Sequence, residues 1–529
     1  MAPILTAPVL NQIPLFEYVD EDDTILLNSP HAEWFRTLHF FPWRDHCVLG
    51  AAYYNALYDF NTSKQIKSDF PDKNNDESKK EGCQRLLFDR RTMDNSKSVL
   101  FETEPVELSK EIPVVLPRSI SPDVVPSRAG GKKPKCFFAL FKSFLGVSIM
   151  GHPPEPKVVH EFLHSNPSFA RVCGFDPKDL NHYSYKNIPG LRKLEQFDQI
   201  MTEYGLWNQT KINEVKKNLQ EGVITQENEL VGDTTHYYAY SGFETVSYTD
   251  EKGKDKTKSQ SKVTKNCRCN DQVNCPHEWE LTDDGAGTIV KSHKKMIWGH
   301  KASILGFPVQ GIPLDAAAAV SDAATHDGET FYPHVKVLFQ SIPEIKAMID
   351  RVLYDSACDS QGLKDKFKKD LGIELKASLN PRRKKTVTEN LPKGMLKLTA
   401  YGNLVCNSEI EMDYQGMRHE REQFIYMAPV NEENISVCEK CALKDQCCPT
   451  AVNGRVVNIP FNMLPHIDQN DPPMAKRFKA IMTRRPSVER MIKRLKCDMS
   501  DDRLTKRNNK SFQAYLDKTL IAFHILLRQ

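Results

Sequence analysis

The sequence predicts an α/β chain whose centre is a mixed sheet flanked by helices, with a helical module before it and a cysteine-rich, strand-forming insertion inside it. Three observations carry that expectation. Apolar residues recur at helical spacing between Pro and Gly stops from 136 to 201. Strand-like and helix-like runs then alternate from about 229 to 380, the pattern of a sheet with helical crossovers. From 385 to about 480 the chain is strand-like and carries Cys406, Cys438, Cys441, Cys447 and Cys448.

At 529 residues the chain has room for about three or four domains, at roughly 150 residues each. The expected divisions are an unassigned N-terminal region and linker (1–130), a helical DNA-binding module (131–228), the first part of the core (229–390), the insertion (391–480), and a closing basic helix with an apolar C-terminal helix (481–529). The N-terminus lacks a basic region followed by an apolar run, so no signal peptide is expected. No window approaches the roughly 18 apolar residues of a membrane span. The net charge is only +3, so charge is informative through its distribution. Lys132, Lys133 and Lys135 form one basic cluster, 382–385 a second, and 484–510 a third. Such patches suit phosphate backbones, or are simply solvated faces.

In chain order, the aromatic stretches Trp34-Phe35 and Phe40-Phe41-Pro42-Trp43 read as a small helical unit. Residues 61–82 read as a polar tract and 103–135 as a Pro- and Ser-rich linker. Four apolar faces follow, around Phe137–Leu145, Val158–Leu163, Phe169–Cys173 and Leu191–Met201. Short helices with Pro/Gly turns fit either a DNA reader or a plain bundle. ELVGDTTHYYAY reads as a strand. TIVKSHKKMIWGHKASILGFPVQGIPLDAAAAV reads as two or three more, broken at Gly299, Gly306 and Gly311. A helix follows Thr325-His326-Asp327-Gly328, with Asp327 as its cap. Arg351–Tyr354 is a short buried strand, followed by a helix and the strand IELKASL.

The stretch from Arg484 to Lys496 places one carboxylate, Glu489, in a dense basic helix. Pro486 suits its first turn. Val488, Ile492 and Leu495 form an apolar stripe, and Arg485, Glu489, Lys493 and Lys496 an adjacent face. That face fits a solvated helix with an i,i+4 ion pair, or a polyanion held partly through a metal.

Asp233 lies in the first strand of the α/β unit, and Asp355 at the carboxyl end of Val352-Leu353-Tyr354. Taken singly, each reads as a turn or cap residue. Taken with Glu489 they form a possible metal-holding set, because ligand sites in open α/β sheets lie outside strand ends. Three converging carboxylates repel unless cations neutralise them. Two Mg²⁺ (or Mn²⁺) ions, completed by water and phosphate, meet that need and suit in-line displacement at phosphorus.

From about residue 136 onward the chain resembles the DDE transposases of bacterial insertion sequences, which have an RNase H-like catalytic core. GDTTHYYAYSG resembles the first catalytic strand and puts Asp233 in the first acidic position. GHKASILGFPVQGIPLDAAAAVSDAATHDGETF resembles the following hairpin and the turn before the next helix. VLYDSACDS resembles the strand that carries the second acid, Asp355. In one branch the third acid follows Tyr, two residues, Arg and three residues, and precedes Lys by six residues. Arg485, Glu489 and Lys496 stand at those spacings, and Met482 departs from the pattern at the Tyr position. The resemblance implies Asp233, Asp355 and Glu489 as catalytic metal ligands and Arg485 and Lys496 as DNA phosphate contacts, with Arg490 and Lys493 on the same basic helix.

Cys267, Cys269, Cys275 and His277 offer four soft ligands in a Lys/Ser-rich hairpin, a set suited to structural Zn²⁺ or to free surface thiols. Cys406, Cys438, Cys441 and Cys447, with Cys448 as the other choice for the fourth place, form a second candidate zinc set. The chain between Asp355 and Glu489 is far longer than a sheet-and-helix connection needs, so an inserted subdomain is expected. The implied function is metal-dependent cleavage and strand transfer at the terminal inverted repeats of a mobile element. The implied partners are double-stranded DNA, as element ends and target, and a second copy in a synaptic homodimer. The implied setting is the bacterial nucleoid, with no membrane. A zinc-stapled DNA-binding relic and an RNase H-like nuclease without strand transfer are the alternatives.

Overall fold

The computed structural model describes residues 135–528 and part of 49–60, apart from 182–183, 185, 250–252, 266–274, 293–294, 320–326, 381–385 and 470. The expected aromatic unit at 34–43, the polar tract, most of the 103–135 linker, Lys132, Lys133, the 382–385 cluster, Cys267, Cys269, Thr325 and His326 lie outside the described residues. The chain divides into two compact units, 1–143 with 159–206 and 144–158 with 207–529.

From residue 137 the described helices are α1 (Phe137–Ile149), α2 (Pro156–Ser165), α3 (Pro167–Cys173), α4 (Leu191–Glu203) and α5 (Leu206–Gln220). In the first unit Phe137, Phe141, Phe169, Leu194 and Phe197 are buried, and Tyr53 packs on Phe197 with ring centroids 4.9 Å apart. The start of α3 is fixed by Asn166, whose side chain accepts the Phe169 N–H, and its end by Gly174 at φ 103, the left-handed stop that glycine adopts without strain. Lys135, expected on a basic surface, is buried. Its Nζ donates to the carbonyls of Ser184 (2.9 Å) and Asn187 (2.7 Å). An unpaired ammonium there would be costly, so Lys135 serves the fold.

The second unit holds the sheet. Its strands are β1 (Glu229–Tyr238), β6 (Gly287–Ser292), β7 (Lys295–Phe307), β8 (Ile312–Ala319), β9 (Arg351–Tyr354) and β10 (Glu374–Ala377); the exposed ribbons β2 (Phe243–Thr249) with β3 (Asp255–Ser261) and β4 (Val263–Lys265) with β5 (Trp279–Leu281) lie between β1 and β6 in sequence. β1, β7 and β8 run antiparallel in turn, while β9 joins the other edge of β1 in parallel and β10 joins β9 in parallel. This is the expected mixed sheet flanked by helices.

Gly299 and Gly306 do not break the chain, because β7 runs unbroken through both. Each is glycine because a neighbour occupies the space of a side chain. A Cβ on Gly299 would stand 2.0 Å from the Tyr237 carbonyl oxygen, and one on Gly306 would stand 2.3 Å from that of Ile312. Only Gly311, at φ +67, makes the turn into β8.

Helices cover both faces of the sheet. α6 (Asp327–Ser341) sends Phe331 onto β1, where a Cβ on Gly232 would be 2.3 Å from its ring. On the opposite face lies α11 (Ser487–Lys493), whose Met491 Sδ would be 2.4 Å from a Cβ on Gly306. α12 (Asn509–Leu526) lies along β8, and its Gln513 side chain accepts from Ala318 N–H and donates to Ala316 carbonyl. That pairing closes the backbone edge of β8. Lys211 from α5 is buried between Asp315 on β8 (2.5 Å) and Asp517 on α12 (2.9 Å). Burial opposes the charge on Lys211, but the two carboxylates outweigh it and hold its pKa above the ordinary lysine value. No helix among the described residues is long and apolar enough to cross a membrane.

Between β10 and α10 (Lys476–Met482) the insertion contributes β11 (Met395–Leu398) with β12 (Leu404–Cys406), then β13 (Asp413–Arg418), β14 (Gln423–Met427) and β15 (Val456–Pro460) in one antiparallel sheet. It has an apolar core of its own, including Leu398, Leu404, Phe424, Tyr426 and Ile459.

Candidate active site at the strand ends

β1 and β9 are parallel, with Val231 paired to Leu353 as the last partners. Asp233 and Asp355 stand two residues beyond that pair, so alternation puts both on one face at one level. The antiparallel register carries the same logic to β7, where Val231 faces Gly306. Since Met491 of α11 sits over Gly306, α11 covers the face on which Asp233 lies.

The helix buries Val488, Met491 and Leu495. The expected stripe of Val488, Ile492 and Leu495 is therefore corrected at its centre: Ile492 is half-buried and Met491 takes the inward place. Both positions satisfy helical spacing from Val488, Met491 at i+3 and Ile492 at i+4; the space left over Gly306 takes the Met491 side chain.

Arg485 joins two of the acids. Its Nη2 donates to Asp233 Oδ2 at 2.7 Å and its Nη1 to Glu489 Oε1 at 3.1 Å. The second Asp233 oxygen accepts the Thr234 N–H at 2.8 Å. Asp355 uses Oδ1 to accept the Ala357 N–H at 2.9 Å, which caps the turn Ser356–Cys358. Glu489 is largely exposed, with 64% of its side chain accessible. Arg485 Nε is buried and finds no partner among the described residues. Among the described residues, no three His, Cys, Asp or Glu side chains stand ready around a metal position.

A second ionic anchor lies one turn of strand below. Glu229, at the start of β1 and 3% exposed, accepts from Arg484 Nη1 at 2.6 Å and lies 3.4 Å from Arg351 Nη1. Sequence reading missed Glu229 and gave Arg484, at the start of the basic stretch, no partner; the one local signal was a carboxylate beside the apolar pair Leu230-Val231. The remaining predicted residues separate into two kinds. Arg490 and Lys493 are exposed on α11. Lys496 instead donates to the His236 carbonyl at 2.5 Å, lies 3.5 Å from Asp502, and sits 5.3 Å from the Tyr237 ring centre. His300 is buried, with Nε2 at 3.1 Å from Asp283.

In the insertion, Cys406, Cys438, Cys441, Cys447 and Cys448 line one cavity of about 120 Å³. All five are free thiols. Burial, with Cys438 and Cys447 beside it, pushes the Cys448 thiol up to about 11. Of the other predicted set, Cys275 is half-buried and His277 exposed.

No protein-family model and no curated protein matches this chain. Among solved structures, the cryo-EM structure of a piggyBac transposase synaptic complex with hairpin DNA aligns with a TM-score of 0.32 and 8% identity, covering 74% of this chain and 65% of that one. This chain therefore spans less than two thirds of that protein's length, and at these values the likeness assigns no family.

Proposed function

We propose that this chain is a DDE-type transposase that cleaves DNA at the ends of a mobile element and joins them to a target. One observation carries the reading: the β1–β9 register brings Asp233 level with Asp355, and Arg485 ties Asp233 to Glu489 from a helix on the same face. The donor set suits hard divalent cations, since all three groups are carboxylates. The Arg485 guanidinium between two of them marks where positive charge already offsets their repulsion. Two Mg²⁺ or Mn²⁺ ions held by Asp233, Asp355 and Glu489 would supply activation of the attacking oxygen and stabilisation of the leaving one.

The chain's own groups do the rest. Arg490 and Lys493 face solvent beside Glu489, where a phosphate backbone can lie against them. Arg485 holds Glu489 towards the sheet and, on DNA entry, can pass its donors to a phosphate oxygen, being planar and permanently charged. Lys496 would exchange Asp502 for phosphate. Attack by water at the element end breaks a P–O bond, leaving a 3′-hydroxyl and a 5′-phosphate. That hydroxyl then attacks a target phosphodiester, forming one P–O bond as another breaks. Two ends must meet, so the working form is a dimer, and the setting is the bacterial nucleoid.

The test is nicking and strand transfer on labelled DNA carrying the sequences that flank the coding region. Wild-type protein with Mg²⁺ is expected to nick and then join, and Glu489→Gln to do neither. Equal cutting by both proteins would overturn the assignment. Nicking without joining favours the nuclease reading.

A further inference from the structure

We infer that the insertion holds a structural zinc ion through Cys406, Cys438, Cys441 and Cys447. The four thiols come from three separate backbone devices that converge on one cavity. Cys438 lies in the turn Val437–Lys440 and Cys441 closes it; the Cys441 N–H donates to the Cys438 carbonyl and the Ser436 side chain accepts the Cys438 N–H. Cys447 ends the helical turn Lys444–Cys447, and Cys406 ends β12.

Space has been made for these sulfurs. Gly394, at φ +86, faces Cys447, and a Cβ there would lie 2.4 Å from Cys447 Sγ. Ser408 Oγ lies 3.1 Å from Cys441 Sγ, placed as a hydroxyl partner for a thiolate. Cys448, the one buried thiol of the five, is hydrogen-bonded to Cys438 and Cys447 and backs the set rather than completing it.

Charge fits as well. Binding releases four thiol protons to solvent, and four thiolates around Zn²⁺ leave a net charge of −2. Lys393, Lys444 and Arg455 line the same cavity. Arg455 is held there by hydrogen bonds to the Cys447 and Lys393 carbonyls at 2.9 and 3.1 Å.

The segment also has little burial of its own, beyond Val437, Cys438 and Cys447 packed against the insertion core. Between 431 and 455 only Ser436, Cys448 and Gly454 are buried, too little apolar surface to order a loop of that length. A metal staple supplies what burial does not. Since no three ligands are already arranged around a point among the described residues, the thiols turn inward as the ion enters.

The test uses the full chain, purified reduced, with zinc measured and cysteines alkylated before and after chelation, then mapped by mass spectrometry. About one equivalent of zinc should vanish in the Cys438→Ser/Cys441→Ser variant and persist in Cys448→Ser. In wild-type protein Cys406, Cys438, Cys441 and Cys447 should resist alkylation until chelation. This mapping needs no variant to fold, and it separates these thiols from zinc bound at Cys275 and His277. Refilling with Co²⁺ should give the intense absorption of tetrahedral thiolate coordination. Alkylation of the four thiols regardless of chelator, or a disulfide among them in the untreated protein, would overturn the inference.

Discussion

At the strand ends, Arg485 reaches back 252 positions to Asp233, whereas the thiols of the insertion all come from residues 406–448. The first arrangement depends on strand register across the whole second unit: a one-residue slip of β9 would turn Asp355 to the other face. The second depends on local turns and on a small core drawn only from residues 395–474. The ionic anchors follow the same division. Lys211 with Asp315 and Asp517, and Glu229 with Arg484 and Arg351, join distant segments of the core. The contrast teaches that chemistry requiring charges from several elements is built where long-range register is secure, and that a locally folded insertion can be added without disturbing it.

The largest effect should come from the core. Asp233→Asn or Glu489→Gln is expected to lower DNA cleavage by on the order of a hundredfold or more, the scale seen when a group acting on developing charge is removed. Zinc content should not change. A loss of zinc in these variants would break the separation between the two regions.

Phe424 is fully buried in the insertion core, and Phe424→Ala should cost about 3–5 kcal/mol. Protease cleavage should then concentrate within 391–480 before the rest of the second unit unfolds. Leu305→Ala, at a fully buried site on β7, should cost about 2–5 kcal/mol and expose the core sheet to cleavage as well. Identical cleavage patterns for the two variants would show a single cooperative unit.

Acid should test the core first. Burial lowers the His524 pKa to about 4, against about 6.5 in an unfolded chain. The folded state binds fewer protons between those values, so stability is full above about pH 6.5 and falls as pH drops towards 4, by roughly 3 kcal/mol. Thermal melting of wild type against His524→Asn should show that slope only in wild type. The buried core residues described in the insertion include no histidine, so its unfolding should be flatter over the same range.

The smallest effect is electrostatic. Arg490→Ala or Lys493→Ala should weaken DNA binding across sequences and reduce the salt slope by roughly one per lost phosphate contact. An unchanged slope removes these residues from the DNA face. The same substitutions should leave the thiol cavity and its zinc unchanged.

Much of this was legible locally. The strand around Asp233, the short buried strand before Asp355, and the helix at Glu489 follow from alternation, length and Pro placement. The cysteine spacing pointed to two sets, of which Cys406, Cys438, Cys441, Cys447 and Cys448 line one cavity, while Cys267 and Cys269 lie outside the described residues. Other features were not legible, for stated reasons. Gly299 and Gly306 read as stops because glycine carries no mark of the neighbour that needs its space. Met491 took the inward place from Ile492 because the space over Gly306 on distant β7 receives it, which helical spacing alone does not show. The bond from Lys496 to the His236 carbonyl was not legible, because its partner is 260 positions away. α5 escaped notice because its polar sequence, Leu206–Gln220, hides the buried Lys211.

By itself, then, the sequence determined what depends on neighbours along the chain: where helices and strands form, which residues could carry acid or thiol chemistry, and that an extra subdomain interrupts the core. Tertiary structure alone decided which charges meet. Ion pairs such as Arg485 with Asp233, or Lys211 with Asp315 and Asp517, have energies set by separations of a few ångströms and by exclusion of water. Those separations arise from strand register and helix packing across hundreds of residues, which no local pattern encodes.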